Sequence, residues 1–569
     1  MPRVNKTFRG CLGCVLIAIF ATFLAASASG QTSAASVVRI PVSRDFGKLT
    51  PFSSDIAYPF MTLVYDTLMW RDPAGVPQPW LADSVETSPD GLDLKIRLAN
   101  GATWHDGQPV TSQDVAFSYR YFVERAHPRF APQLRPIGGL ATPDSKTLEI
   151  RLRFTSPGFL DQPLADVPIL PRHLWEKLPA EGDLPDGLAL GSGPYRLVEH
   201  RTDESYRFES NETYFRGPPS VKTIEVPIIK TTEGRIRAFE RREVDIVSVH
   251  FPKTLVNRVQ MLGVNVDEGP SFAGTALIFN LASPPFDQAD VRRAVARSLD
   301  VPRIRRVIGR AVDADHGYLH PRSAWATALI VSDFNERATR ADLTRLDVGP
   351  VQIITPGDDL VQLEAARQVE FALKRAGVAA MSQRVSEGEY LRAVGAGGSP
   401  PTFTLAIGRI PALASFDPSF LSAVFVSDPL VAPLNYSGYK SDAFDGIARR
   451  IVSEPDVNAR RAAVEEGLRL LSADVPVVPL FFSNSVFASR TAIFKDWVIA
   501  RGTAAIDKRS FTDPPIALAR PSSTGVDVEP RAKKPGSTSL LRVGAISLIA
   551  LAGILAAVDL ARRLRRRRD

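Results

Sequence analysis

Residues 104–118 read WHDGQPVTSQDVAFS. A turn, a cap and a helix follow one another there. Asp106 suits a local side-chain-to-backbone turn, and Gly107 after it offers the positive φ that such turns use. Thr111 or Ser112 can cap the helix that carries Asp114, which is expected over Ser112–Ala126. Upstream, Asp90-Gly91 repeats the turn chemistry. Outward from this stretch, strand-like and helix-like runs alternate. Strands are expected over Val37–Val42, Leu94–Leu98, Thr147–Leu152, Thr223–Ile229, Thr275–Asn280, Val351–Thr355 and Phe403–Ile407, several of them rich in β-branched residues. Further helices are expected over Thr231–Arg241, Gln288–Leu299, Asp359–Ala376 and Val457–Ala473. Gln288–Leu299 places Val291, Ala294, Val295 and Leu299 on one face. The alternation implies an α/β architecture.

Composition bounds the rest. The 569 residues are 44% hydrophobic and 23% charged, with 38 Gly and 45 Pro. That excludes a disordered chain, a collagen and a disulfide scaffold, and the length suits several domains or one large composite body. A mean hydropathy of −0.03 excludes a polytopic membrane protein. The formal charge of +7 sits at the ends: residues 1–28 carry +3 and residues 540–569 carry +5, which leaves −1 for the 511 residues between. A neutral body is a poor footprint for nucleic acid.

Residues 1–30 read as a secretory signal: basic Arg3, Lys6 and Arg9, an apolar run over Cys11–Ala26, and an Ala26-Ser27-Ala28 cleavage pattern. The alternative is an uncleaved amino-terminal anchor. Cys11 and Cys14, the two cysteines of the chain, precede the apolar run, which argues against a lipoprotein; a cleaved chain has no thiol and no disulfide. At the other end, residues 540–561 form a membrane helix by the same logic. Leu540–Leu560 is apolar apart from Arg542, Ser547 and Asp559, and about 21 helical residues span about 30 Å. Arg562, Arg563 and Arg565–Arg568 make residues 562–569 a basic tail, cytoplasmic by the positive-inside rule, with the body outside. A buried core helix is the alternative. Residues 513–539, rich in Pro, Ser and Lys, read as a flexible tether.

The body shows no G-x-S-x-G, H-E-x-x-H or Walker A pattern. His316 and His320 have i, i+4 spacing, but Gly317 and Pro321 argue against a helix there and so against a metal pair. No catalytic, metal or cofactor site is expected. Trp70, Trp80, Trp104, Tyr195, Phe286 and Phe416 recur beside turns and read singly as core packing.

One series of motifs goes further. Tyr65-Asp66-Thr67-Leu68 leads to Pro79-Trp80-Leu81-Ala82-Asp83-Ser84, then to Ser88–Gly91 and the Trp104–Ser118 stretch. Gly191-Ser192-Gly193-Pro194-Tyr195 is followed by Asn211-Glu212-Thr213-Tyr214, then Asn280 with Pro285-Phe286 and Val291–Ala294, then Asn435, Tyr439, Asp445 and Pro476–Leu480. In this order the series resembles the family 5 extracellular solute-binding proteins of ABC importers, the dipeptide-, oligopeptide- and nickel-binding type. Physics reads most of these motif residues as structural.

The resemblance implies a two-lobed periplasmic-binding-protein fold, type II, of the large class with an inserted third domain. By motif position, lobe I covers 37–58, 190–273 and 480–512, the inserted domain 59–189, and lobe II 274–479. It implies capture rather than chemistry: a small peptide or peptide-like solute held in an interlobe cleft and passed to permease and ATPase subunits, on the periplasmic face of the membrane. The candidate ligand-binding residues are Phe52, Phe279, Asn280, Arg409, Pro411, Ala414, Ser415 and Phe416. In an ungapped match, Ala414 stands where the family's amino-anchoring Asp lies and Pro411 where an aromatic lies. A free peptide amino terminus then lacks its usual partner, which favours a blocked or cyclic peptide, a glycoside or another polar solute. Arg409 is available to a carboxylate. The carboxyl-terminal anchor motivates an alternative, a ligand-sensing or interaction module coupled to a membrane signalling partner. A hydrolase has no nucleophile constellation to support it.

Overall fold

The computed structural model describes residues 36–512, apart from 53–56, 73–74, 179–188, 250–251, 270, 310, 313–316, 328, 330–333, 358, 397–399, 501 and 503–504. The expected signal segment, tether, membrane helix and basic tail therefore lie outside the described residues, as does His316. Among the described residues no helix is long and apolar enough to cross a membrane.

Two α/β bodies carry the chain. In the first, Val37–Arg39, Thr223–Pro227, Ser205–Ser210 and Tyr195–Arg201 form a four-stranded sheet in that order. Its core is continuous with that of a second four-stranded sheet, Ala82–Thr87, Asp93–Leu98, Thr147–Leu152 and Ile137–Asp144. The strict alternation of Asp93–Leu98, exposed then buried, turns Leu94, Ile96 and Leu98 onto this core. The helix Ser112–Glu124 covers the same core with Val115, Ala116, Tyr119 and Phe122. Asp114 fixes its start by accepting the Thr111 N–H at 2.8 Å.

The other body is built on a six-stranded sheet, ordered Ala311–Val312, Val477–Ser483, Gly274–Phe279, Leu405–Ile410, Val351–Pro356, Ala380–Val385. Gly274–Phe279 is buried along its whole length because it pairs on both edges and is covered on both faces. Leu277 and Phe279 face one core, with the helices Ala289–Ser298 and Leu360–Arg375; Ala276 and Ile278 face two smaller clusters on the other side. Each fully buried side chain of this kind stabilises the fold by about 1.5–3 kcal/mol.

The chain passes between the bodies twice, side by side. Asn265–Gly269 leads into Gly274–Phe279, and Val477–Ser483 leads into Ser485–Ser489. The two runs pair on either side of the crossing, Gly269 opposite Ser485 and Gly274 opposite Phe482. A Cβ on Gly274 would lie 2.8 Å from the Phe482 ring, so glycine lets the crossing stay tight. Val477–Ser483 runs straight through position 480, where the expected return to lobe I falls; the chain leaves the six-stranded sheet after Ser483.

Candidate functional site

Three strands of the six-stranded sheet are parallel. Val351–Pro356 pairs with Ala380–Val385 on one side and with Leu405–Ile410 on the other. Their carboxyl ends therefore emerge at one edge, the edge at which open α/β sheets place ligands. Each end delivers a charge. Arg409 is the exposed position in an otherwise buried strand. Asp359 opens the helix Leu360–Arg375 and accepts from the Val361 and Gln362 N–H groups at 3.0 and 3.3 Å through Oδ1. Its other oxygen receives Arg409 Nη2 at 3.0 Å. Glu387 opens the helix Glu387–Ala393, whose start is fixed by a capping box between Ser386 and Glu389.

The first body answers across the gap. Arg44 Nη1 lies 3.8 Å from Glu387 Oε2. Arg44 is placed by its neighbour Asp45, which accepts from the Tyr206 hydroxyl, from Asp203 N at 2.6 Å, from Gly47 N at 2.7 Å and bonds His200 Nε2 at 2.9 Å. Burial opposes the charge on Asp45, but these bonds outweigh it and hold the carboxyl well below the usual range. The loop is thus pinned behind a half-exposed arginine.

Most of the expected site residues face elsewhere. Phe52 packs within an aromatic cluster, 4.9 Å from His127 and 6.0 Å from Trp175 between ring centroids. Phe279 is fully buried against Phe286. Asn280 donates to Phe403 O at 2.8 Å and accepts from Ala282 N at 3.0 Å. Ala414 is buried, and Ser415 is buried with its hydroxyl accepting from His320 N at 2.9 Å. Pro411 is half-buried. Phe416 is half-buried against Phe272 and beneath Arg71, 4.9 Å from its guanidinium. Of these residues, Phe279, Asn280, Ala414 and Ser415 have their side chains engaged inside the protein, and Phe52 is half-buried in its aromatic cluster. Arg409 keeps an open aspect. Sequence reasoning missed Arg44, Asp359 and Glu387; the available signal was a lone charge in the apolar run Leu405–Ile410, which asks for a partner at a strand end.

The motif residues hold the fold. Asp66 accepts from Lys508 Nζ at 2.8 Å, Trp80 Nε1 at 2.9 Å, Tyr214 at 3.1 Å and Ser192 at 3.2 Å. Lys508 lies over Trp70 and Trp80, 4.4 and 4.6 Å from the ring centroids. Gly191 and Gly193 let the chain pass against the Val64 and Leu63 carbonyls, where a Cβ would come within 1.9 and 2.4 Å. A second buried pair, Arg460 and Asp417 at 2.8 Å, abuts Gly158 of the first body. Among the described residues no cluster of His, Cys, Asp and Glu is arranged to hold a metal ion. A concavity of about 560 Å³ lies on the open face of the Ala82–Thr87 sheet. Across its strands Glu86 and Glu149 flank Lys95, and Asp93 bonds Arg151.

Three comparisons bear on this geometry. The family model described as bacterial extracellular solute-binding proteins, family 5 Middle, matches residues 76–397. A Brucella ovis protein provisionally named as an ABC transporter peptide-binding protein is 30% identical over 229 residues, which span 39% of this chain and 42% of that protein. The chain thus matches less than half the length of that relative. Among solved structures, the oligopeptide-binding protein AppA from Bacillus subtilis, in complex with a nonapeptide, superposes with a TM-score of 0.71 at 18% identity, over 80% of this chain and 94% of that one. AgaA from A. tumefaciens R10, in complex with agropinic acid, gives 0.74 at 17% identity, over 82% and 96%. The two-lobed fold is the one shared with both.

Proposed function

Because the chain belongs to the bacterial extracellular solute-binding proteins of family 5, we propose that it is the substrate-binding component of an ABC import system, capturing a peptide or peptide-like solute between its lobes. A member of a family of binding proteins is not an enzyme. One observation supports the capture site above others: three parallel strands end at one edge carrying Asp359, Glu387 and Arg409, and Arg44 of the opposite lobe reaches that edge. Closure of the lobes about the paired crossing would remove a bound solute from water, and the closed form is what a permease distinguishes. Relatives of this fold hold solutes as different as a nonapeptide and agropinic acid, so the solute follows from the lining and not from the fold.

The domain plan in this reading keeps an inserted domain over 59–189 and lobe II from 274, with lobe II extended to 483. The location is the periplasmic face of the membrane, reached by the signal over 1–30. Residues 540–561 tether the body as a single carboxyl-terminal helix; alkaline extraction of membranes should leave the full chain in the pellet and release a chain ending at 539. Mass spectrometry of purified protein under native conditions tests capture: one bound small molecule is expected, released on unfolding. The anchor also favours a second reading, a sensing module with a membrane signalling partner. Affinity capture that recovers permease and ATPase subunits supports import; recovery of a membrane sensor in their place supports the second reading.

A further inference from the structure

The charges at the strand edge form two pairs, and both are open to water. Side-chain exposure is 57% and 32% for Arg409 and Asp359, and 39% and 53% for Arg44 and Glu387. Exposed pairs contribute little to stability, so a ligand can replace one partner at little cost. At 3.8 Å the Arg44–Glu387 pair is a contact rather than a close hydrogen bond. Asp359 stays satisfied when Arg409 is taken away, because its other oxygen holds two helix N–H groups. Gly357, at φ +53 and without a side chain, leaves Glu387 Oε2 and the Asp359 turn adjacent: a Cβ there would sit 3.6 Å from that oxygen. Tyr390, one turn on from Glu387, is 5% exposed and its hydroxyl has no hydrogen-bond partner among the described residues.

Resting on the capture reading above, we propose that the edge recognises a zwitterion by exchange of ion pairs: the solute's carboxylate takes Asp359's place on Arg409, and its cationic group takes Arg44's place on Glu387. The exchange keeps Arg409 and Glu387 neutralised. A solute with a single charge exchanges one pair and leaves the other as it stands, so a zwitterion alone engages Arg409 and Glu387 together, and its charges are the ones matched once water is excluded. Glu387 thereby supplies the acidic group that position 414 does not. This changes the expectation from Ala414: a free amino group is accepted, from the other side of the edge.

The test uses the full-length protein in detergent, with a panel of free dipeptides and the same dipeptides acetylated at the amino end, amidated at the carboxyl end, or both. Binding is followed by thermal shift and calorimetry. At least one free dipeptide should bind, and each block should weaken it by about tenfold or more. Glu387→Gln should abolish the penalty of acetylation while keeping that of amidation, and Arg409→Gln the reverse. Unchanged melting temperatures of the ligand-free variants would show that both fold. Equal binding of free and blocked forms, or variants that keep both penalties, would overturn the proposal. So would failure of every dipeptide while a sugar or another uncharged solute binds, an outcome that leaves capture standing; failure of every solute class would remove capture itself.

Discussion

Two regions of this molecule use acid–base pairs in opposite ways. At the Asp66–Lys508 node both side chains are fully buried, and Trp80, Tyr214 and Ser192 complete the carboxylate's hydrogen bonds. At the strand edge, Arg409–Asp359 and Arg44–Glu387 have the same chemistry with water on one side. The buried pair cannot lose one partner without stranding a charge in the interior, so it fixes structure. The exposed pairs can change partners, so they suit recognition. Burial, rather than residue type, separates the structural pair from the binding pair.

The sharpest way to break this contrast is at the node. Lys508→Met should cost about 3–5 kcal/mol in urea unfolding, since Asp66 is left charged and buried; a cost near zero would mean that the pair is dispensable and the contrast empty. Gly158→Ala comes next. The new Cβ would lie 2.2 Å from an oxygen of Asp417, itself locked to Arg460, so a loss of about 1–3 kcal/mol is expected, with faster hydrogen exchange over 154–162. A smaller effect is expected from Asp161 beside it. Burial, with Asp417 adding to it and Arg71 and Arg460 opposing, pushes its carboxyl up to about 6. A carboxyl raised in the folded state binds its proton more readily there than when unfolded. Stability from this group is therefore greatest below its unfolded value, near 4, and declines as pH rises through 6. Asp161→Asn should flatten the stability profile between pH 4 and 7, and an unchanged slope would assign it to other groups. The smallest effect belongs to the edge: Arg409→Gln or Glu387→Gln should move stability by less than about 1 kcal/mol, whereas a large loss would make the edge structural after all.

The sequence made part of this legible for local reasons. The helix Ser112–Glu124 and the turns at Gly91 and Gly107 follow from caps and glycines within a few residues, and both glycines have positive φ. The strand at Leu405–Ile410 was expected two residues early and ending at Ile407. Gly408 and Arg409 look like a strand end, but pairing with Ala276 and Thr275 carries the ladder through them; tertiary pairing overrides local preference. Asp66 and Glu387 were illegible in another sense. Their partners Lys508 and Arg44 lie hundreds of positions away, and nothing in the local pattern says which carboxylate will be buried and which left at a strand edge.

The two cysteines, Cys11 and Cys14, lie in the segment expected to be cleaved, so on a chain beginning after it, or with both changed to Ser, spin labels can be placed without background. Arg201→Cys on one lobe and Arg392→Cys on the other put labels on either side of the Arg44–Glu387 contact. Electron–electron resonance distances between them, measured with and without the solute recovered from the purified protein, test capture most directly. The distance distribution should shift to shorter values and narrow when solute is added. An identical distribution in both states would contradict closure on a solute, and with it the capture account.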